Sequence, residues 1–282
     1  MNFVVLCVLC APTLIGIINF ILIMDTLVLI ILILAILVLL FTLLLKQKKK
    51  TITTDPIPQR YREILEEQVP FYRQLHENKK KEFEHRVQQF LAQTRITGVK
   101  TVVEDIDRVL IAASASIPIF NFPGWEYVNL HEVLLYPDSF DHDFKQHGGE
   151  RDIIGIVGSG ALNHVMILSQ HELRQAFHNK TGKTNTAIHE FVHLVDKTDG
   201  SIDGVPAFIL EQKYIMPWLQ LMRREIELIE ENRSDINPYG AINEAEFFAV
   251  VSEYFFERPD LLKQKHPELY ELLVKIFRKQ TL

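Results

Sequence analysis

The amino-acid sequence predicts an α+β protein that is predominantly helical with a small sheet and is preceded by an N-terminal transmembrane helix or hairpin. Three observations support this fold class. Of the first 45 residues, 37 are apolar, whereas the remaining 237 have the composition of a globular domain. Helical periodicity of apolar residues recurs at 60–94, 184–196 and 243–253. Two short apolar runs, at 133–136 and 165–169, have the length and composition of strands.

The predicted transmembrane helix covers residues 27–45, a run of 19 residues in which Thr42 is the only polar one. As a helix this run extends about 28 Å, close to the ~30 Å hydrocarbon core of a bilayer. Four lysines follow within residues 46–50, and no basic residue precedes the run. This order disfavours a cleaved signal peptide. The positive-inside rule predicts localisation at the cell membrane, with the C-terminal domain in the cytoplasm.

The first residues of the chain leave two interpretations open. Residues 3–24 are also apolar, although polar and helix-breaking residues interrupt them. They form either a second span, in a hairpin that turns at Asp25, or an upstream extension of a protein that starts at Met24. Both interpretations place the rest of the chain on the lysine-rich side.

The predicted organisation therefore has three parts. Residues 1–45 are the transmembrane segment or segments, 46–59 a basic juxtamembrane stretch and linker, and 60–282 one globular domain. Residues 51–282 carry 26 basic and 35 acidic groups, which argues against binding to nucleic acid. Both cysteines of the chain precede residue 46, so the domain offers no thiolate ligand or nucleophile.

Within the domain, the pattern predicts helices over 60–94, with a polar run at 76–81 that is a turn or an exposed face. Residues 101–119 read as a short strand or turn followed by a buried helix over 109–116. The apolar runs 133–136 and 165–169 are the predicted strands. No internal repeat is evident.

Residues 189–193 carry the strongest chemical signal, the pattern H-E-x-x-H. On a helix, positions i and i+4 share a face, so His189 and His193 can point at one metal ion. Glu190 lies beside that pair, where it can take a proton from water. Asn185 and its neighbours are suitable capping residues for the start of this helix. The alternative is a polar helix face with two solvated histidines.

A metal site with an open position needs a third protein ligand. The better candidate is Glu246, which lies in the apolar helical pattern of residues 243–253, where a carboxylate on the inward face requires a partner. His266 is a weaker candidate because it lies in a charged, Pro-flanked segment. An alternative role for Glu246 is a capping box with Asn243, three residues earlier.

These motifs together resemble a known family. Residues 189–196 (HEFVHLVD), Tyr239-Gly240 and residues 243–248 (NEAEFF) are similar to the Mlc titration factor A (MtfA) type of zinc peptidase, which is related to the catalytic domain of anthrax lethal factor. The resemblance continues in residues 125–140 (WEYVNLHEVLLYPDSF) and 252–259 (SEYFFERP), and it covers roughly residues 60–280. The familiar members of that family lack a membrane segment.

The resemblance implies a zincin-like metallopeptidase domain with Zn²⁺ as its cofactor. By motif position, His189, His193 and Glu246 are the zinc ligands and Glu190 is the general base. Tyr239 is implied to stabilise the oxyanion or to protonate the leaving group, although it is also an ordinary turn aromatic after a proline. No other cofactor-binding residue is predicted.

Two further expectations complete the prediction. Asp196 and Glu253 are candidates to orient a histidine ligand, or else solvated or capping carboxylates. In zincin-type folds the strand at 165–169 is the sheet edge that pairs with an extended substrate; a buried core strand is the alternative.

The predicted function is peptide-bond hydrolysis of peptide or protein substrates, with aminopeptidase preference on small substrates as the resemblance suggests. The alternative is a regulatory binding protein that sequesters a transcriptional repressor, with minor peptidase activity.

Overall fold

The computed structural model describes residues 27, 29–40, 56–138, 155–157, 164–179 and 181–278. The chain divides into two compact units, Met1–Thr53 and Thr54–Leu282. The finer division into 1–45, 46–59 and 60–282 stays a prediction.

In the first unit, residues 29–40 are helical and their side chains are exposed. Among the described residues, no helix combines the length and apolar character that a membrane crossing requires. The predicted membrane anchor and membrane localisation are therefore wrong for the part of the chain described. The apolar run at 3–24 and the lysines at 46–50 lie outside the described residues.

The second unit alternates helices with a small sheet, as the sequence predicted. Its elements are α1 (Gln59–Gln68), α2 (Pro70–Arg73), α3 (Glu77–Gln93), β1 (Arg95–Gly98), α4 (Asp105–Ser116), β2 (Glu132–Tyr136), β3 (Gly155–Val157), β4 (Val165–Ser169), α5 (Gln170–His178), α6 (Thr186–Asp196), α7 (Gln212–Glu230), α8 (Glu244–Glu257), α9 (Pro259–Lys265) and α10 (Pro267–Phe277). Two 3₁₀ turns, Lys197–Asp199 and Pro238–Ala241, precede α7 and α8.

The buried helix α4 is the centre of the helical layer, with α1, α3, α5 and α6 packed around it. It begins with a capping box between Glu104 and Asp107. Every residue from Val109 to Ser116 is buried, and the small side chains at 112–116 let neighbouring helices approach closely. The predicted buried helix at 109–116 is thus confirmed. Of the two alternatives predicted for the polar run at 76–81, the exposed face is correct: residues 77–81 form the first turns of α3, and all of them except Lys80 are exposed.

The four strands form one mixed sheet in the order β1-β2-β4-β3. β1, β2 and β4 are parallel, whereas β3 runs antiparallel to β4. The strands predicted at 133–136 and 165–169 are confirmed. The prediction that 165–169 is the sheet edge is wrong, because β4 is hydrogen-bonded on both sides and β3 lies outside it. The alternative, a buried core strand, is correct: Met166, Ile167 and Leu168 are buried.

Aromatic packing fixes the two helices that matter for function. On α6, Phe191 is fully buried and meets the rings of Phe90 and Tyr127 at centroid distances of 5.5 and 5.1 Å. On α8, Phe248 packs edge-on against Trp218 at 5.8 Å. Such pairs add to the stabilisation that comes from burying apolar area. They hold α6 and α8 against the core on their apolar faces.

A charged network ties α7 to the loop before α8. His266, between α9 and α10, contacts Glu225 of α7 through Nδ1 at 3.1 Å and Asp235 through Nε2 at 2.8 Å. Lys183 and Tyr254 also bond Asp235. The hydrogen bond with Glu225 raises the pKa of His266 despite its burial, and Asp235 raises it further. Both contacts favour the charged imidazole.

We expect this network to lose stability as the pH rises through the pKa of His266. The contribution of the histidine is complete below its unfolded pKa of about 6.5 and disappears above its raised folded pKa. Burial raises the pKa of Glu225, but His266 lowers it overall, so the contribution of Glu225 is lost instead at acidic pH. His266→Gln should lower the free energy of unfolding by about 2 kcal/mol near pH 6, and by less near pH 9.

Urea denaturation followed by circular dichroism measures this difference across the pH range. His85→Gln, at an exposed position of α3, is the matched control and should leave the free energy of unfolding unchanged. A constant difference between wild type and His266→Gln from pH 6 to 9 would contradict the assignment.

Candidate metal centre

Helix α6 presents two histidines on one face because its start is fixed. The side chain of Asn185 accepts a hydrogen bond from the backbone N–H of Ile188, as the sequence predicted for a capping residue. His189 and His193 follow one turn apart and contact one another. The opposite face lies in the core through Ile188, Val192 and Val195.

Helix α8 contributes its first turn to the same place. The side chain of Asn243 accepts from the N–H of Glu246 at 2.9 Å and so caps the helix. The carboxylate of Glu246 points towards the two histidines instead of completing a capping box with Asn243. Of the two roles that the sequence left open, Asn243 therefore keeps the cap, and Glu246 is free to act as a ligand.

Three donor atoms from these helices converge. Glu246 Oε2 lies 2.9 Å from His189 Nε2 and 3.5 Å from His193 Nε2, and the two imidazole nitrogens are 3.1 Å apart. With bonds of ~2.1 Å to a tetrahedral zinc ion, neighbouring ligand atoms lie about 3.4 Å apart. In the part of the chain that the structure describes, this is the one group of three or more acidic, His or Cys side chains arranged to hold a metal ion. The residues present fit such an ion.

A second carboxylate contacts the first histidine. Glu253, two turns after Glu246 on α8, contacts His189 Nδ1 through Oε1 at 2.7 Å. The imidazole donates its Nδ1–H to this buried carboxylate, which leaves Nε2 with a free lone pair for a metal. The other oxygen of Glu253 accepts the backbone N–H of Asn185, and the Asn185 amide donates to Glu257 at 2.8 Å. The start of α6 is thus joined to the end of α8.

The carboxylates of Glu246 and Glu253 favour a positive charge among the donor atoms. Burial by itself lowers the pKa of His189, but hydrogen bonds with Glu246 and Glu253 raise it to about 10. Burial raises the pKa of Glu246, whereas the two histidines lower it to about 2. The cluster is electrostatically satisfied when a positive charge lies among its donors, and a divalent cation supplies that charge.

The other two predicted site residues line the same cleft as the three donors. This cleft has a volume of about 900 Å³. Glu190 is buried, and burial raises its pKa, although the adjacent histidines oppose the shift. Tyr239, in the 3₁₀ turn before α8, places its ring 5.9 Å from that of His189. Burial and the nearby carboxylates of Glu246 and Glu190 raise the pKa of Tyr239, so its hydroxyl keeps its proton.

Two weaker candidates lie elsewhere. Both ring nitrogens of His266 bond carboxylates of the charged network described above, so this histidine does not reach the cluster. The carboxylate of Asp196 accepts the N–H of Gly204 at 2.8 Å and is not hydrogen-bonded to either histidine. Burial raises the pKa of Asp196 to about 6. The hydrogen bond between Asp196 and Gly204 therefore holds the loop at Gly204 and does not orient a histidine.

The loop at Gly204 contacts both α7 and the start of α8, and sequence analysis missed this joint. Gly204 has a positive φ of 74°, and its carbonyl accepts the indole N–H of Trp218 at 2.7 Å. A Cβ atom there would lie 2.2 Å from the carbonyl oxygen of Glu244, the first residue of α8. The Asp203-Gly204 pair signals a turn in the sequence, but not this close approach to another helix.

The chain matches the family described as glucose-regulated metallo-peptidase M90 over residues 44–278. The chain belongs to the M90 family. The expected resemblance is thereby confirmed, and the domain is that of a metallopeptidase-family protein with a His-His-Glu cluster suited to a metal.

Relatives of M90 type cover most of the chain. An uncharacterized protein of Synechocystis sp. is 31% identical over 244 residues, which span 83% of this chain and 88% of that protein. Mlc titration factor A of Pectobacterium atrosepticum is 30% identical over 209 residues, 69% of this chain and 77% of that protein. Mlc titration factor A of Escherichia coli is 28% identical over 228 residues, 76% of this chain and 84% of that protein.

We expect Glu253→Gln to weaken metal binding by about 10-fold or more. The amide keeps an acceptor for His189 but loses the negative charge, and its NH₂ group faces the N–H of Asn185. Competition with a chromophoric chelator measures the dissociation constant for Zn²⁺. Glu257→Gln, one turn further along α8, is the matched control and should change the constant less than about two-fold. Equal effects of the two substitutions would count against the orienting role.

We expect Gly204→Ala to disturb the metal centre through the start of α8. The added methyl group collides with the Glu244 carbonyl, which must move and carry Glu246 with it. The affinity for Zn²⁺ should fall about 10-fold.

Gly124→Ala is the control for backbone strain. Gly124 has the same φ of 74°, but nothing lies within 4 Å of an added Cβ. It should cost about 1 kcal/mol of stability and leave Zn²⁺ affinity unchanged. If the two variants bind Zn²⁺ equally, the clash at Gly204 has no bearing on the site.

Proposed function

We propose that the protein is a zinc-dependent peptidase that hydrolyses peptide bonds of peptide or protein substrates. The observation that carries the proposal is the convergence of His189, His193 and Glu246 beside Glu190 in one open cleft. Membership of a metallopeptidase family supports the same chemistry. A zinc ion held by the three ligands supplies a Lewis acid that polarises the scissile carbonyl group and makes water more acidic.

Glu190 is the proposed general base. Its carboxylate takes a proton from the attacking water and later delivers this proton to the leaving amine. One side chain therefore serves as both the base and the acid of hydrolysis. Its raised pKa supports this role, because a carboxylate of higher pKa is a stronger base.

Tyr239 is the proposed electrostatic partner of the substrate carbonyl oxygen. Half of its surface is exposed to the cleft, and its raised pKa keeps the phenol neutral. A neutral phenol can donate a hydrogen bond as negative charge develops on that oxygen.

The proposed class is a zincin-like gluzincin, in which H-E-x-x-H and a later glutamate hold the metal. Two features support it: the histidine helix α6 lies against β3 and β4, and the glutamate comes from the later helix α8. Aminopeptidase preference is the finer proposal. It predicts that blocking the α-amino group of a short substrate by acetylation abolishes cleavage.

We expect Glu190→Gln to retain Zn²⁺ and to lower kcat by about 10³-fold or more, because the amide cannot accept the proton. The full-length chain is loaded with one equivalent of Zn²⁺, and cleavage of an internally quenched peptide library is followed by fluorescence. Glu227→Gln, on α7 and outside the cleft, serves as the control. A wild-type protein with full zinc content that cuts no peptide contradicts the proposal.

A second candidate function is regulatory binding. Two relatives bear the name Mlc titration factor A, which favours a role in sequestering a transcriptional repressor. Such binding does not require proton transfer, so Glu190→Gln should bind a repressor as wild type does in a titration. Loss of repressor binding in that variant would tie the two functions to one site.

A further inference from the structure

Exposed apolar side chains of the second unit are concentrated in one segment of the chain, and two of them, Ile202 and Tyr239, line the cleft. Of the seven strongly exposed large hydrophobic side chains described in that unit, five lie between residues 202 and 242. They are Ile202, Phe208, Met216, Tyr239 and Ile242. This segment also supplies one wall of the cleft. Exposed apolar surface at a cleft is typical of a contact with a partner molecule.

The wall itself is apolar. Ile202 is 46% exposed, and the half-buried Val205 and Leu219 line the cleft with it. Val205 follows the rigid joint at Gly204, and Leu219 follows Trp218 on α7, whose indole bonds that joint. The apolar wall is therefore held at a fixed position relative to the start of α8.

Apart from the two histidines, the charged side chains that line the cleft are acidic. Four carboxylates line it, and among the described residues around it there is no lysine or arginine. A divalent cation offsets the charges of Glu190 and Glu246. Asp203 and Glu244 are both exposed, and Asp203 accepts hydrogen bonds from the Ser201 hydroxyl and the Val205 N–H while keeping its negative charge. A ligand that carries carboxylates is repelled here, whereas a neutral or cationic one is not.

We propose that the cleft binds a neutral or cationic peptide segment whose apolar side chain packs on Ile202, Val205 and Leu219, and that Asp203 and Glu244 exclude acidic peptides. The proposal rests on the peptidase function proposed above and names its substrate class. The apolar wall and the charge pattern are separate observations, and both point to the same ligand chemistry.

The test uses the full-length zinc-loaded chain and internally quenched peptides of one length that differ at a single position next to the cleaved bond. The peptide with leucine at this position should have a kcat/KM about 100-fold above that of the aspartate peptide and roughly 10-fold above that of the alanine peptide. Ile202→Ala and Leu219→Ala should each reduce the leucine-to-alanine ratio several-fold, whereas Val128→Ala, an exposed apolar position outside the cleft, should not.

A charge variant tests the second half of the proposal. Glu244→Gln should raise the ratio of kcat/KM for the aspartate peptide to kcat/KM for the leucine peptide about five-fold. Glu230→Gln, exposed at the end of α7 and outside the cleft, is the matched control.

Binding of the same peptides to Glu190→Gln, measured by fluorescence anisotropy, separates failure of this inference from failure of the proposed function. If the wild type cuts no peptide but leucine peptides bind more tightly than aspartate peptides, the peptidase function fails and the recognition surface stands. If peptides are cut or bound with equal preference, and Ile202→Ala and Leu219→Ala change no ratio, the inference is overturned.

Discussion

The hydrogen bond between Glu253 and His189 is the contact on which the rest of the site depends. It joins α8 to α6, and it directs the free nitrogen of His189 towards Glu246 and His193. A second oxygen of the same carboxylate binds the backbone at Asn185, which caps α6. One buried side chain therefore sets the tautomer of His189 and the position of the helix that carries it.

Packing supplies the rigidity that this contact needs. The polar cluster lies between two helices whose other faces are buried, through Phe191 on α6 and Phe248 on α8. Side chains in such cores sit in rotamer minima, so packing restrains the positions of the two helices and of the polar side chains between them. The cost of burying several carboxylates is offset by mutual hydrogen bonds with the histidines and by a cation that the arrangement favours.

Local patterns predicted the parts of the site that are local in the chain. His189, Glu190 and His193 occupy one helical turn, so helix geometry alone brings them together. Glu246 and Glu253 were identified by their place in an apolar helix, where a carboxylate requires a partner. Both contact His189 of α6, which lies 57 positions before Glu246 and 64 before Glu253. The role of Glu246 as a ligand and that of Glu253 as an orienting group stay predictions.

The sequence analysis was wrong or silent mainly where the structure depends on contacts between residues far apart in the chain. The strand β4 has the apolar composition of a core strand, but its neighbours in the sheet are set by β2 and β3, which local periodicity does not describe. The apolar wall at Ile202 and Leu219 arises from a loop folded back on a helix, and its residues share no sequence period. The run at 27–45 was judged by hydropathy, whereas among the described residues no helix is long and apolar enough to cross a membrane.

The joint at Gly204 also gives the molecule an optical property. The chain has two tryptophans, and Trp218 is the one whose indole N–H donates to the carbonyl of Gly204. That glycine touches the first residue of α8, two positions before Glu246. The emission of a fully buried indole depends on its hydrogen bond and on the dipoles around it. The fluorescence of Trp218 therefore reports on the scaffold of the metal centre without any added label.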